Sequence, residues 1–223
     1  NPVIIHGGGP EINEMLNKVG KESQFVGGNR VTDAETMEIV EMILSGKVNK
    51  GIVSDINRNG GKAVGLSGKD DNMVLVEKKY IEADGEKVDI GFVGEVKKIN
   101  AKVIGLLETN DLIPVISSIG TDEKGQTYNI NADYVAGAIA GELKADRLIF
   151  LTDVDGIMLD PSDKQTLINE ATKSEVENLI EQGIISGGML PKVNTCLDAI
   201  KSGVNNVIIL NGKLEHSLLL ELF

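Results

Sequence analysis

Val3-Ile4-Ile5-His6-Gly7-Gly8-Gly9-Pro10 is the stretch that decides the fold class of this chain. It begins with three apolar residues, which predict a short buried strand. The glycines predict a tight turn, and proline is typical of the first position of a helix. Glycines before a helix let main-chain N–H groups approach an anion, so the turn predicts an anion site. A tight turn without a ligand is the alternative.

The alternation of strand and helix continues along the chain. Thr32 and Glu35 have the spacing of a capping box, which predicts that a helix opens with Thr32 as its cap. Further helices are predicted at residues 10–20, 47–59, 101–110, 132–143, 174–182 and 191–202, and strands at residues 113–118, 147–152 and 207–210. Residues 63–96 carry short β-like runs, with a hairpin turn predicted at Asp84-Gly85.

Apolar strands that alternate with helices are typical of an α/β protein. We predict a three-layer αβα sandwich with a central, mainly parallel sheet, because strands of parallel sheets form continuous apolar runs. Ligands of such folds bind beyond the carboxyl ends of the strands. We therefore expect the chemistry at the glycine turns that follow Ile5, Ile119 and Leu151.

The composition excludes several classes of protein. The 223 residues carry 22 basic and 34 acidic side chains, and the net charge of −12 argues against a nucleic-acid partner. No apolar run approaches the roughly 18 residues of a membrane helix, so we expect no membrane partner. A single cysteine and two histidines exclude a disulfide framework and a multi-cysteine or His-rich metal centre. We expect a reducing, cytoplasmic location. The chain begins without methionine, and we expect both of its ends to be incomplete.

Several well-known motifs are absent from the sequence. An HGGG turn also occurs in lipases and esterases, but these need a Gly-x-Ser-x-Gly nucleophile elbow. The nearest match begins at Gly65 and has Lys69 in place of the last glycine, so a hydrolase is excluded. There is neither a Walker A motif nor a Gly-x-Gly-x-x-Gly motif, which disfavours P-loop and ordinary dinucleotide enzymes.

Polar side chains stand beside the predicted turns. Asn129, Asn131 and Asp133 alternate just before a helix, where one cap needs a single such residue, so we favour ligand binding over capping alone. Arg30 lies between a glycine turn and a predicted helix and is a candidate carboxylate clamp, with an ordinary surface arginine as the alternative. Lys192 lies in the first turn of a helix, where the helix dipole disfavours a cation unless an anion binds there.

An acidic loop, residues 152–156, follows the strand at residues 147–152. It could be a plain acidic loop or a weak calcium loop, although the spacing of an EF-hand is missing.

Together these segments resemble the N-acetylglutamate kinases of the amino-acid kinase family. The resemblance extends over essentially the whole chain and rests on residues 3–10, 30–33, 115–120, 129–133, 151–156 and 187–192. Each motif is modest by itself, but their order and spacing are specific. Carbamate, aspartate and uridylate kinases share the glycine turns, whereas Arg30-Val31-Thr32 and the run at residues 129–133 favour the acetylglutamate branch.

The resemblance implies the roles of the substrate-binding residues. Gly8 and Gly9 would contact acetylglutamate and the phosphoryl group in transit. Arg30 would hold the α-carboxylate of the substrate, and Asn129 and Asn131 would bind its amino-acid portion.

It also implies the catalytic residues and the nucleotide contacts. Lys192 would stabilise the transferring phosphoryl group, and Asp133 would position the catalytic lysines. The nucleotide contacts would be Thr152, Asp153, Val154, Asp155, Gly156, Ile157, Ile184, Ile185 and Ser186. The first strand of the family, with its Lys-x-Gly-Gly motif, and the glycine-rich carboxyl-terminal segment have no counterpart here.

The implied reaction is ATP-dependent phosphorylation of the γ-carboxylate of N-acetyl-L-glutamate in arginine biosynthesis, with Mg²⁺ bound through the nucleotide and no protein metal site. Residues 1–144 would form an acetylglutamate-binding and dimerisation lobe, and residues 145–223 an ATP-binding lobe. We expect a homodimer. Members that L-arginine inhibits form hexamers, and residues 212–221 resemble that branch, although they also fit a plain amphipathic helix. A sister kinase acting on carbamate or another carboxylate, and a non-catalytic arginine- or nucleotide-sensing module, are the alternatives.

Overall fold

A computed structural model describes residues 1–83, 85–160 and 162–222. The chain divides into two compact units, Asn1–Ile139 and Ala140–Phe223. The sequence predicts a boundary after residue 144, and the functions of the two lobes stay predictions.

The first unit contains nine strands and most of the helices among the described residues. Its strands are β1 Ile4–His6, β2 Phe25–Val26, β3 Asn29–Arg30, β4 Ala63–Ser67, β5 Val74–Ala83, β6 Glu86–Ile99, β7 Ile113–Ser117, β8 Ile119–Thr121 and β9 Thr127–Asn129. The helices are α1 Gly9–Lys18, α2 Ala34–Glu41, α3 Asn49–Arg58 and α4 Lys102–Thr109, with a π-helical segment at Met42–Val48 and a 3₁₀ turn at Asp70–Asn72. Helix α5, Ala132–Leu143, begins in this unit and ends in the second.

A parallel sheet with the strand order β1-β7-β4 lies at the centre of this unit. Ile5 pairs with Ile116, which in turn pairs with Leu66, so the three strands run side by side in the same direction. Parallel strands place their carboxyl ends at one edge of the sheet. The turn after β1 and the segment after β7 therefore lie next to each other.

The β-rich region predicted at residues 63–96 is confirmed, and its arrangement goes beyond the prediction. β5 and β6 pair as an antiparallel hairpin, and with β9 and β8 they close into a small barrel. Gly85 has a φ of +80°, which suits a hairpin turn, whereas the other predicted turn residue, Asp84, lies outside the described residues.

The hydrophobic core beside the glycine turn is formed by α1, α2, the π-helical segment and β8. It includes Ile12, Leu16, Val40, Leu44 and Ile119, all nearly inaccessible to solvent.

The predicted capping box at Thr32 is wrong. Asp33 is the cap of α2, and its carboxylate accepts a hydrogen bond from the Thr36 N–H. The Thr32 hydroxyl is buried and donates to the Arg30 carbonyl instead. A complete capping box is found elsewhere, between Thr172 and Glu175. Threonine with glutamate three residues later fits both places, and only the surrounding packing distinguishes them.

The second unit contains a parallel strand pair. Its strands are β10 Arg147–Thr152 and β11 Asn206–Asn211, and its helices are α6 Lys173–Glu181, α7 Met189–Lys201 and α8 Ser217–Leu222, with a 3₁₀ turn at Lys164–Thr166. Val176 of α6 and Val193 and Leu197 of α7 pack with Ile185 in the core of this unit.

Helices and parallel strands alternate as predicted, and the α/β fold is confirmed. Among the described residues, no helix has the length and apolar character that crossing a membrane requires.

Candidate functional site

The glycine turn connects β1 to α1. Gly8 is the residue before the helix, and its carbonyl accepts from the Ile12 N–H. A Cβ atom on Gly8 would lie only 2.8 Å from Leu44 Cδ2, so a larger residue would have to displace the packed Leu44 side chain. A Cβ atom on Gly9 would meet no atom within 4 Å. The main chain therefore fits tightly on the Gly8 side of the turn and is open at Gly9.

A cavity of about 260 Å³ opens at this turn, within the first unit. All five residues predicted to bind substrate line it: Gly8, Gly9, Arg30, Asn129 and Asn131. Ser118, which directly follows β7, also lines the cavity, as the parallel pairing of β1 and β7 requires. The sheet thus brings together polar groups that lie more than a hundred residues apart in sequence.

Arg30 reaches the cavity from a two-strand hairpin. β2 and β3 pair through Val26 and Asn29, which leaves a turn of two glycines, Gly27 and Gly28, both with positive φ. This tight turn is typical of hairpins and strongly favours glycine. Arg30 is only 7% exposed, and burial lowers the pKa of its guanidinium. The structure therefore places a largely desolvated cation at the wall of the cavity.

The two asparagines enter from the segment before α5. Asn131 caps this helix, because its side-chain oxygen accepts a hydrogen bond from the Asp133 N–H at 2.9 Å. Asn129 is the last residue of β9, and its amide nitrogen lies 3.3 Å from the Thr32 hydroxyl. Capping thus requires Asn131 alone, as expected, and Asn129 is held by a different contact. Asp133 is half-buried in the first turn of α5.

In the second unit, Lys192 lies in the first turn of α7 and is half-buried. Its ammonium group lies 5.3 Å from the centre of the Phe150 ring, a cation–π contact with β10. The contact places the Lys192 ammonium beside β10.

The acidic loop follows β10 in the same unit. The carboxylate of Asp155 accepts hydrogen bonds from Lys164 at 2.8 Å and Asn211 at 2.6 Å, and these partners lower its pKa below the usual range. The Thr152 hydroxyl accepts from the Val154 N–H. These contacts hold the loop in a defined shape. The Asp155 carboxylate is already occupied by its hydrogen bonds to Lys164 and Asn211.

The turn before α7 contains the remaining predicted nucleotide contacts. Ile184 and Ser186 are partly or fully exposed, whereas Ile185 is buried in the core of the second unit. The side chain of Ile185 therefore serves packing. The sequence alone does not distinguish Ile185 from its neighbour Ile184, because both are isoleucines in the same short segment.

Two polar residues near the cavity are not predicted by the sequence pattern. The side chains of Asn13 in α1 and Ser23 hydrogen-bond to Arg30. Neither a polar residue on α1 nor a serine in the segment after it gives a local signal of such a contact, because the contact depends on a hairpin farther along the chain.

Comparison with known proteins gives a consistent result. The sequence profile of the amino acid kinase family matches residues 1–211. The chain is 57% identical to the acetylglutamate kinase of Pelotomaculum thermopropionicum, covering all of this chain and 77% of that protein. It is 53% identical to the acetylglutamate kinase of Methanocaldococcus jannaschii, again over the whole chain and 76% of the relative.

Solved structures agree on the fold. The protein smu.665 of Streptococcus mutans UA159 has a TM-score of 0.79 and 32% identity, over 95% of this chain and 82% of that one. An N-acetylglutamate synthase of Neisseria gonorrhoeae, solved with coenzyme A and N-acetyl-glutamate, has a TM-score of 0.82 at 24% identity, over 99% of this chain and 49% of that one. By its match to the family profile and its identity to these relatives, the chain belongs to the amino acid kinase family, in its acetylglutamate kinase branch.

Proposed function

We propose that this protein transfers the γ-phosphoryl group of ATP to the γ-carboxylate of N-acetyl-L-glutamate, giving N-acetyl-L-glutamyl 5-phosphate and ADP in arginine biosynthesis. The observation that carries the proposal is the cavity of the first unit, which combines a glycine turn at a helix N-terminus with a buried arginine and two asparagines. These groups suit a small ligand that has both carboxylate and amide groups. The names of the relatives point to the same substrate.

In this proposal each wall of the cavity recognises a different part of the substrate. Arg30 binds the α-carboxylate, because a guanidinium offers parallel N–H donors to its two oxygens. Asn129 and Asn131 bind the amino-acid portion. The main chain at Gly8 and Gly9 contacts the substrate and the phosphoryl group, where the positive end of α1 favours negative charge.

The chemistry needs no general base. The γ-carboxylate is ionised at neutral pH, since its reference pKa is near 4.3. One of its oxygens forms a bond to the γ-phosphorus, the bond from that phosphorus to the β,γ-bridging oxygen breaks, and ADP leaves with the electron pair. No proton has to move. The main obstacle is repulsion between two anions, which cationic and N–H groups overcome.

Lys192 is the proposed cation on the transferring phosphoryl group, and Asp133 the proposed residue that positions the catalytic lysines. Residues 152–157 and 184–186 are the proposed nucleotide contacts. Because the Asp155 carboxylate and the Ile185 side chain already serve the fold, we expect main-chain contacts from these two positions. Residues 1–144 would accordingly bind acetylglutamate and residues 145–223 would bind ATP.

Magnesium enters this proposal with the nucleotide, as the MgATP substrate. Within the described ranges, no group of three or more His, Cys, Asp or Glu side chains is placed to hold a metal ion. The phosphates of ATP are the ligands we expect for the ion.

A hydroxamate assay for acyl phosphate tests the proposal. The protein is assayed with ATP and, in turn, acetylglutamate, glutamate, aspartate and carbamate. Product with acetylglutamate alone is the expected result. Product with carbamate or another carboxylate instead would assign a sister activity, and no product with any substrate, together with binding of arginine or nucleotide, would assign a sensing role.

We also propose a homodimer in the cytoplasm that L-arginine inhibits. The support is the branch of the family and the sequence resemblance at residues 212–221. Sedimentation of the full-length protein with and without arginine, alongside activity, tests both claims. A monomer would contradict the dimer, and activity unchanged at millimolar arginine would contradict the inhibition.

A further inference from the structure

The guanidinium of Arg30 is held by two neutral side chains. Its Nη1 lies 2.7 Å from Asn13 Oδ1 and 2.7 Å from Ser23 Oγ. The Ser23 hydroxyl donates its own hydrogen to Asn13 Oδ1, also at 2.7 Å. The three groups thus form a closed triangle, in which Asn13 Oδ1 accepts twice.

This triangle determines which edge of the guanidinium remains for a ligand. A guanidinium has five N–H groups, two of them on Nη1. Asn13 and Ser23 are the partners of Nη1, and the Gly9 carbonyl lies 3.4 Å from Nη2. Among the described residues, the Nε–H has no hydrogen-bond partner, and in a guanidinium this N–H is parallel to one N–H of Nη2. That edge matches the two oxygens of a carboxylate.

The face of the guanidinium is restrained as well. The Phe25 ring lies against it, with 4.8 Å between Arg30 Cζ and the ring centre. Contacts along one edge and on one face prevent rotation of the planar group. A fixed fork loses less entropy when it binds a ligand than a mobile one does.

The charge balance of the triangle is unusual for a buried cation. Burial lowers the pKa of Arg30, and within the described residues its hydrogen-bond partners are all uncharged. Asn13 and Ser23 accept hydrogen bonds but carry no charge. A buried cation is costly without an anion, so the site is built to receive one.

We propose that Asn13 and Ser23 are positioning residues for substrate selection: they hold Arg30 with its Nε/Nη2 edge open and leave its charge for the substrate. This inference rests on the proposed function, in which Arg30 binds the α-carboxylate. Neutrality is the essential property of position 13, because a carboxylate there would satisfy the cation permanently.

Asn13→Asp is the decisive variant, because the two side chains have the same size and both can accept the two hydrogen bonds. We expect it to raise the acetylglutamate KM at least tenfold, with kcat changed less than threefold and thermal stability retained. Ser23→Ala, which removes one acceptor, should raise KM by a smaller factor. Asn17→Asp is the matched control: it adds the same charge to an exposed site on α1 and should leave KM within about twofold.

A binding measurement makes the result specific to the α-carboxylate. Calorimetric titration compares N-acetylglutamate with its α-amide analogue, which lacks that carboxylate. The wild-type protein should prefer the acid strongly, and Asn13→Asp should lose most of the preference. A merely structural role predicts an unchanged preference, since the hydrogen bonds of the triangle are kept.

The outcomes separate the two proposals. Wild-type protein that binds acetylglutamate, together with an Asn13→Asp variant of unchanged KM and unchanged preference, would overturn the inference alone. Wild-type protein that does not bind acetylglutamate would overturn the proposed function, and the inference with it.

Discussion

The side-chain amide of Asn49 lies 3.1 Å from Nε2 of His6, and both groups are buried. Nδ1 of the same ring lies 2.9 Å from the Gly7 carbonyl. This pattern requires a neutral ring with its proton on Nδ1, donating to the carbonyl, while Nε2 accepts from the amide. Asn49 and His6 therefore connect α3 to the start of the glycine turn.

Protonation of His6 should destabilise the fold at acidic pH. Burial lowers the pKa of His6 below its ordinary value of 6.5. The unfolded chain then binds more protons below about pH 6.5, so stability falls as the pH decreases through that region. His6→Gln should reduce the slope of unfolding free energy between about pH 5 and about pH 7, by up to about 1.4 kcal/mol per pH unit. Denaturant unfolding at several pH values measures it.

His216 provides the matched control for this experiment. Its side chain is 70% exposed, so His216→Gln removes a histidine without removing a buried contact. An identical slope in wild type and His6→Gln would contradict the argument.

Asn49→Asp should destabilise the protein strongly. The Asn49 amide nitrogen also lies within hydrogen-bond distance of the carbonyls of Leu66 and Val115, at 3.2 and 2.8 Å. The substitution removes the N–H donors of this side chain and leaves a carboxylate oxygen facing these carbonyls. We expect a cost of about 1–3 kcal/mol, even though the Lys50 ammonium lies 3.1 Å from the other oxygen. Thermal unfolding measures the loss. Asn59→Asp, at an exposed helix end, should cost far less, and equal losses in the two variants would show that burial is irrelevant.

The two glycines of the turn should respond differently to alanine. Gly8→Ala places a Cβ atom against Leu44 and Val48 and should cost about 1–3 kcal/mol of stability. Gly9→Ala places a methyl group in open space and should leave stability nearly unchanged. Because Gly9 lines the cavity, we expect its alanine variant to raise the acetylglutamate KM by about tenfold. Thermal melts measure the stability loss and steady-state kinetics the change in KM. A stable Gly8→Ala variant together with a destabilised Gly9→Ala variant would contradict the prediction.

Lys192 and Arg30 should have separate kinetic signatures. Lys192→Ala should lower kcat by at least about tenfold with a smaller change in acetylglutamate affinity, because its charge matters most in the transition state. Arg30→Lys should chiefly raise the KM, since an ammonium cannot reproduce a bidentate fork. Lys201→Ala, at the exposed end of the same helix as Lys192, is the control and should be close to wild type. One signature shared by both variants would contradict the division of roles.

The cap of α2 should contribute a pH-dependent part of the stability. Hydrogen bonds from Lys21 and Thr36 lower the pKa of Asp33 from 3.8 to about 2. The stabilisation is therefore present above about pH 4 and is lost as the pH falls toward 2. Asp33→Ala should cost about 1 kcal/mol near neutral pH, with Asp33→Asn in between because asparagine still caps. Chemical unfolding of wild type and Asp33→Ala at about pH 6 and about pH 3 tests this. An Asp33→Ala effect on stability that is the same at both pH values would contradict the contribution of the Asp33 charge.

Much of the candidate site was predictable because its parts are short-range features. Glycines, caps and polar residues at the ends of strands act through their immediate neighbours, so Gly8, Gly9, Arg30, Asn129 and Asn131 could be selected before any contact was known. Their meeting at one cavity follows from the parallel pairing of β1 with β7 and from the β2–β3 hairpin.

Other features were outside the reach of local patterns. The barrel depends on register between strands distant in sequence, such as Val93 with Asn129. Asp33 rather than Thr32 caps α2, because the Thr32 hydroxyl is buried in contacts with Arg30 and Asn129. Both the barrel and the cap of α2 depend on contacts with segments that are distant along the chain.

The sequence by itself determined the α/β class, the glycine turn and the choice of polar residues, because hydrophobic periodicity and turn chemistry are local properties. Only the tertiary structure decided that Asn13 and Ser23 hold Arg30 and that Asn49 meets His6. Those contacts join segments that are separated along the chain, and no local pattern specifies which of many polar side chains will share a buried position.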